Sequence, residues 1–282
     1  MPIVFGGFRI RDILTKIVQK DRKEMYELAL CCIVKDENEY LEEWISYHLK
    51  IGVQHFFIYD NESKIPVHKT LETLGLLQYV TVSNIYGKAK QIKAYNDCLT
   101  RYRKSCKWIG FIDVDEFIVP KSTNGDLIGL LKEFEQFGGL GMNWLVFGSN
   151  GHVKRTNQPQ LQSFLLRSEE NFSVNRHVKM IVQTKFVNRS TGAHSFSFLG
   201  SYCCVNENFV PISGSYSDIS VGKVQLNHYY CRSLEEYYDK IERGLADTSR
   251  RTRRMEDFYN HDIHANKIED RHILNIMFGK NS

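Results

Sequence analysis

The segment "KWIGFIDVDEFIVP" (Lys107–Pro120) decides the fold. Trp108, Ile109, Phe111 and Ile112 lead in, and Phe117, Ile118 and Val119 lead out. A short apolar run rich in β-branched and aromatic residues and ended by Pro reads as one buried strand. Asp113, Asp115 and Glu116 interrupt it. Carboxylates in a buried strand require that something compensate their charge. Residues i and i+2 of a strand project to one side, so Asp113 and Asp115 are expected to point together. Two carboxylates that close repel, and a hard divalent cation such as Mg²⁺ or Mn²⁺ removes the conflict. Such ions take oxygen ligands from one or two carboxylates, substrate phosphates and water.

Upstream, the chain alternates. "ELALCCIVK" (27–35), "HFFIYD" (55–60) and "QYVTVSN" (78–84) read as strands. Between them lie helical patterns: residues 36–52 with Leu41, Trp44, Ile45, His48 and Leu49 on one stripe, then 67–75, then 90–103 with Ile92, Tyr95, Leu99 and Tyr102 on one face. Asp36 with Glu39 has the spacing of a capping box. The Asp-x-Asp segment is then the fourth strand. This order predicts an α/β fold with a Rossmann-like, mostly parallel sheet flanked by helices. Ligands of such sheets bind beyond the carboxyl ends of the strands. Those ends carry Asp36, Glu37 and Asn38, then Asp60, Asn61 and Ser63, then Asn84, then the three acids of the opening segment.

Downstream, "LGMNWLVFGSNGH" (140–152) reads as a buried strand entering a Gly-rich loop, and residues 153–225 mix short strand-like runs with polar loops. From Ser233 the chain turns helical, with Ser233 and Glu236 in a capping-box pattern. The expected division is an amphipathic N-terminal helix (1–26), a catalytic domain (27–232) with a nucleotide-binding half (27–120) and an acceptor half (121–232), and a helical segment (233–282).

Composition bounds the function. The chain has 282 residues, 42% hydrophobic and 25% charged, enough for a large core. A net charge of +4 gives no argument for a nucleic-acid partner. The seven Cys form neither a disulfide framework nor a C-x-x-C zinc pattern, which suits small buried residues in a reducing compartment. No apolar run reaches the roughly 18 residues of a membrane-spanning helix, and no signal peptide is evident. A cytoplasmic location is therefore expected. Phe8–Lys20, a basic amphipathic stretch, and Arg250–Arg254 are candidates for contact with the inner membrane face.

The physical reading is a metal-dependent enzyme acting on a nucleotide-linked substrate, since a metal on a diphosphate stabilises charge on the leaving phosphate. Glycosyl transfer and nucleotidyl transfer both fit. A nucleotidyltransferase is expected to carry a basic, Gly-rich loop after the first strand, where this chain has "KDENEY" (35–40). A non-catalytic carbohydrate- or membrane-binding module would not need Asp113 and Asp115 together.

Four blocks (31–63, 108–120, 142–152 and 226–244) resemble glycosyltransferase family 92 and its family 2-like bacterial relatives. The resemblance implies a GT-A fold, a nucleotide-sugar donor, such as a UDP-hexose, a glycan or lipid-linked acceptor, and Mn²⁺ or Mg²⁺. A surface polysaccharide is one such product. The family pattern begins Lys-Asn-Glu where this chain has Lys35, Asp36 and Glu37. The resemblance places Glu37, Asp60 and Asn61 at the nucleoside and Asn96 near the sugar or phosphate. It makes Asp115 the metal ligand, assisted by Asp113, with Glu116 serving the donor sugar or the motif's shape. His228 is the candidate for a further metal ligand, with His194 second. Lys240 and Arg243, at i and i+3, are candidates for the diphosphate.

An inverting transferase needs a base for the acceptor hydroxyl. Between Gly138 and Ala193 the only acids are Glu169 and Glu170, which makes them the leading candidates. Glu170 matches the family position better. His152 is an alternative, and Glu207 and Asp218 follow later. Trp144 and Phe147 could form a sugar platform or pack in the core.

Overall fold

The computed structural model describes residues 4–5, 8–9, 25–249 and 253–279. The helix expected over Phe8–Lys20 lies outside these residues except for Phe8–Arg9, which pairs antiparallel with Val4–Phe5. Arg250 and Arg251 of the basic run also lie outside them.

The central sheet has nine strands. In chain order they are β1 (Tyr26–Val34), β2 (His55–Asp60), β3 (Val80–Asn84), β4 (Cys106–Phe111), β5 (Glu116–Pro120), β6 (Gly139–Val146), β7 (Val178–Gln183), β8 (Cys204–Val205) and β9 (Val224–His228). Their order across the sheet is β3-β2-β1-β4-β7-β6-β9-β5, with β8 also paired to β6. From β3 to β4 all pairings are parallel, as the alternation predicts. The second half is mixed. β7 lies antiparallel between β4 and β6, β9 parallel to β6, and β5 antiparallel to β9.

Strands β1, β2 and β4 are covered on both faces, so they read as nearly unbroken apolar runs, whereas β3, on the sheet edge, is only partly buried and alternates. Along β1, Leu28, Leu30, Cys32 and Val34 face one core and Ala29, Cys31 and Ile33 the other. Helices α1 (Leu41–Lys50), α2 (Val67–Thr73) and α4 (Leu127–Leu131) cover the first face. Helix α3 (Gln91–Tyr102) covers the second with Ala94, Tyr95, Cys98 and Leu99, leaving Ile92 partly exposed. Asp36 does not form the expected capping box. It takes a left-handed backbone, φ 51°, and its Oδ1 accepts the Lys64 amide instead. All seven Cys are free thiols, Cys203 alone being partly exposed.

The Asp-x-Asp segment corrects the one-strand expectation. It forms two strands at distant places in the sheet. β4 sits in the middle beside β1, and β5 sits on the edge beside β9. Residues 112–115 make the crossing, closed by the Glu116 amide donating to the Asp113 carbonyl at 3.0 Å. Asp113 and Asp115 therefore lie in a turn, where the same-side rule for strands does not apply.

His48 marks how dry this core is. Its ring is fully buried beside Trp44 and Phe117, and burial pushes its pKa down to about 3. The unfolded chain binds this proton near pH 6.5 and the folded chain does not, so stability rises with pH across that window and is lost as pH falls through it. The slope is up to about 1.4 kcal/mol per pH unit for one such His. In thermal unfolding between pH 7 and pH 5, His48→Gln is expected to show a weaker acid loss than the wild type. An unchanged pH slope would contradict the assignment.

Candidate active site

A cavity of about 830 Å³ opens at the carboxyl ends of β1, β2 and β4. Past the one-turn helix α5 (Gln160–Ser163), helix α6 (Leu234–Arg243) and the segment leading into α7 (Met255–Ala265) form its other wall. Of the sequence candidates, Glu37, Asn61, Asp113, Asp115, Trp144, His194, His228, Lys240 and Arg243 line it. Three strand ends thus converge on one cleft, as their sequence positions imply.

The charge of the buried acids is met by two lysines. Lys179, near the start of β7 and fully buried, places Nζ 2.7 Å from Asp113 Oδ2 and 3.5 Å from Glu116 Oε2. Burial opposes its charge, but the two acids outweigh this and hold the ammonium above its ordinary range. Gln91, at the start of α3, donates to Asp113 Oδ1 at 2.7 Å. Lys240 places Nζ 2.6 Å from Asp115 Oδ2 and also donates to the carbonyls of Tyr230 (2.8 Å) and Tyr229 (3.3 Å). Burial raises the Asp115 carboxyl, yet Lys240 and His228 prevail and hold it well below the usual carboxylate range.

Glu116 is fully buried and does not line the cavity. Its Oε2 accepts the Asp113 amide at 2.8 Å and its Oε1 accepts Trp144 Nε1–H at 2.7 Å. Burial pushes its carboxyl up, and the Lys179 ammonium beside it pulls it back down. Its place is to shape the turn, and the donor-sugar alternative does not fit this burial.

His228 ends β9, opposite Glu116. Its Nε2 is 3.7 Å from Asp115 Oδ2, and its buried Nδ1 has no hydrogen-bond partner among the described residues. Burial lowers its pKa and favours the neutral imidazole, the form that ligates metals. Among the described residues no cluster of three or more His, Cys, Asp and Glu side chains is placed to hold a metal alone. One carboxylate and one imidazole suit a cation that takes its remaining ligands from a diphosphate and water.

Glu37 is clamped by Arg232 and Arg243, each 3.2 Å from Oε1. Arg232 is buried, stacks 3.4 Å over the Tyr40 ring and was not singled out in the sequence, nor were Lys179 and Gln91. Asp60 lies outside the cavity: its oxygens accept the amides of Ser63 and Val67 at 3.0 Å and so start α2. Asn96 is likewise spent, bridging both backbone groups of Ser190. Asn61 lines the cavity while donating to the carbonyls of Ile85 and Gly87. Phe147 is buried core, whereas Trp144 borders the cavity and stacks on His177 at 4.7 Å.

The expected bases are elsewhere. Glu169 and Glu170 are exposed and do not line the cavity, Glu170 standing 3.8 Å from Arg167. Glu207 accepts the amides of Gly222, Lys223 and Val224, Asp218 pairs with Arg176, and His152 contacts the Ser163 carbonyl. The acids that do line the cavity, beyond those already paired, are Asp247 and Asp257.

The family model of glycosyltransferase family 92 matches residues 26–276. A family 92 protein of Oryza sativa subsp. japonica is 28% identical over 230 residues, covering 80% of this chain and 37% of that protein. Galactan beta-1,4-galactosyltransferase GALS2 of Arabidopsis thaliana is 35% identical over 134 residues, covering 41% of this chain and 25% of that protein. The chain thus spans well under half the length of these curated relatives. Among solved structures, S. aureus TarS 1-349 overlaps 56% of this chain and 47% of its own, at 16% identity and a TM-score of 0.37. With the match running through nearly all the described catalytic region, the chain belongs to glycosyltransferase family 92.

Proposed function

We propose that the protein is a glycosyltransferase that moves a hexose from a UDP-sugar to a glycan acceptor. The observation that carries this reading is the meeting of Asp115, His228, Lys240 and Arg243 in one cleft beyond the strand ends. Asp115 and His228 would hold Mn²⁺ or Mg²⁺, which when bound supplies positive charge to the leaving diphosphate. Lys240 and Arg243 flank the diphosphate, Glu37 and Asn61 face the nucleoside, and Trp144 borders the sugar. The galactan-making relatives favour UDP-galactose as donor and a β-galactan or related polysaccharide as product. A lipid-linked acceptor at the inner membrane face belongs to the same reading. No helix among the described residues is long and apolar enough to cross a membrane.

A β-linked product from an α-linked UDP-sugar requires inversion, and inversion requires a base. In this reading the base is Asp257. It lines the cavity one turn before His261, whose ring stacks on Tyr230 at 4.0 Å. Asp257 Oδ2 also accepts the Arg254 amide at 2.9 Å, which fixes the start of α7. The side-chain amide oxygen of Asn can accept the same N-cap amide from this third helical position. Asp257→Asn is therefore expected to lower kcat for transfer at least about 10²-fold with little change in the donor KM. Full transfer by this variant would place the base elsewhere.

The function itself is tested by transfer of labelled hexose from UDP-hexoses to β-galacto-oligosaccharides. Absence of transfer, alongside cleavage of a nucleoside triphosphate, would favour nucleotidyl transfer.

A further inference from the structure

Resting on that reading, we propose that Lys240 occupies the cation's place on Asp115 in the donor-free enzyme, so that the divalent ion binds strongly only together with the nucleotide diphosphate. Lys240 is 2% exposed, and its ammonium has three acceptors: Asp115 Oδ2 and the carbonyls of Tyr229 and Tyr230. His228 Nε2 faces the same Asp115 oxygen from 3.7 Å. A cation held between His228 Nε2 and the Asp115 oxygen that faces it would share an oxygen, and a carboxylate charge, that Lys240 already neutralises.

The charges around it leave no surplus to attract a cation. Asp113 and Glu116 share Lys179, Asp115 meets Lys240, Glu37 meets Arg232 and Arg243, and the wall acids Asp247 and Asp257 are outnumbered by Lys35, Arg253 and Arg254. A lone divalent ion would enter a balanced site and confront a buried ammonium, an arrangement of like charges that low dielectric makes costly. A diphosphate changes both terms. Its negative charge offsets the incoming ion, and it offers Lys240 new acceptors in exchange for Asp115. Arg243, one turn further along the cavity-lining face of α6, donates to the Asp36 carbonyl at 2.9 Å and stands ready for the same ligand. By linkage, whatever factor the diphosphate adds to cation affinity, the cation adds to diphosphate affinity.

The experiment is a titration of the full chain with Mn²⁺, followed by the electron paramagnetic resonance of the free ion, with and without saturating UDP. In the wild type, UDP is expected to tighten Mn²⁺ binding at least roughly tenfold. Lys240→Met, close in volume, is expected to bind Mn²⁺ alone roughly tenfold more tightly than the wild type and to lose most of the UDP effect. Equal wild-type Mn²⁺ affinities with and without UDP would overturn the inference, and this measurement needs no variant to fold. So would a folded Lys240→Met protein with wild-type affinities. If the wild type binds no UDP under any condition, the reading of the site as a nucleotide-sugar cleft falls first. If UDP and Mn²⁺ both bind but independently, only the role of Lys240 falls.

Discussion

Asp115→Asn is expected to lower sugar transfer about 10²–10³-fold while the protein stays folded, the size of loss seen when one preorganised charge-stabilising group is removed. Two features separate these effects. The backbone carbonyl of Asp115 accepts the Tyr229 amide at 2.9 Å, and this tie between the turn and the end of β9 survives substitution. Lys240 keeps its contacts to the Tyr229 and Tyr230 carbonyls, and the amide oxygen of Asn remains an acceptor. What is lost is the negative charge that faces His228 and pairs with Lys240, so some stability is lost with it, although the ammonium keeps neutral acceptors. Turnover and thermal unfolding measured on the same preparation check this. Full activity would remove Asp115 from the site chemistry.

Lys179→Met is expected to act in the opposite way, chiefly on stability. Removing one partner of a buried ion pair costs about 3–5 kcal/mol, because the other charge is left unpaired. Here it would leave Glu116, fully buried, and Asp113, a third exposed, without their shared cation. For a domain of this size the melting temperature is expected to fall on the order of 10 °C. Glu116→Gln added to Lys179→Met is expected to restore part of that loss, since the amide carries no charge to compensate. An additive or worse double variant would deny the coupling.

These two lysines explain what was legible in the sequence and what was not. The parallel half reads directly because its strands are apolar runs separated by helices of clear periodicity; His55–Asp60 is found with its predicted limits. The capping box at Ser233 and Glu236 also forms as its spacing requires. The segment around Asp113 misleads for a physical reason. β4 and β5 are both buried, so two strands flanking a short turn look like one long strand. Nothing local indicates that the chain crosses from the middle of the sheet to its edge. That crossing sends Asp113 toward β7 and Asp115 toward α6, each to its own lysine.

Lys179 did leave a signal. It is a lone cation in the apolar run "VKMIVQ" (178–183), and a charge in such a setting requires a buried partner. The partner could not be named, because β7 pairs antiparallel with β4 across a separation that periodicity does not encode. Asp257, the proposed base, lies further along the chain than every acid that sequence position recommends. Glu169, Glu170, Glu207 and Asp218 all precede α6, whereas the cavity wall is completed by a C-terminal segment that folds back over the strand ends. Asp60 and Asn96 show the converse. Both sit at strand-end or helix positions suited to a ligand, but their polar atoms are satisfied by backbone.

The cleft is proposed to act on a UDP-hexose with the help of a divalent cation. The most direct test is the release of UDP from a panel of nucleotide hexoses by the wild-type chain, in Mn²⁺ and again in excess chelator. The account predicts release from UDP-hexoses, UDP-galactose foremost, that chelation abolishes and added Mn²⁺ restores. Release that continues undiminished under chelation would contradict the cation's role, and no release from any nucleotide sugar would contradict the function.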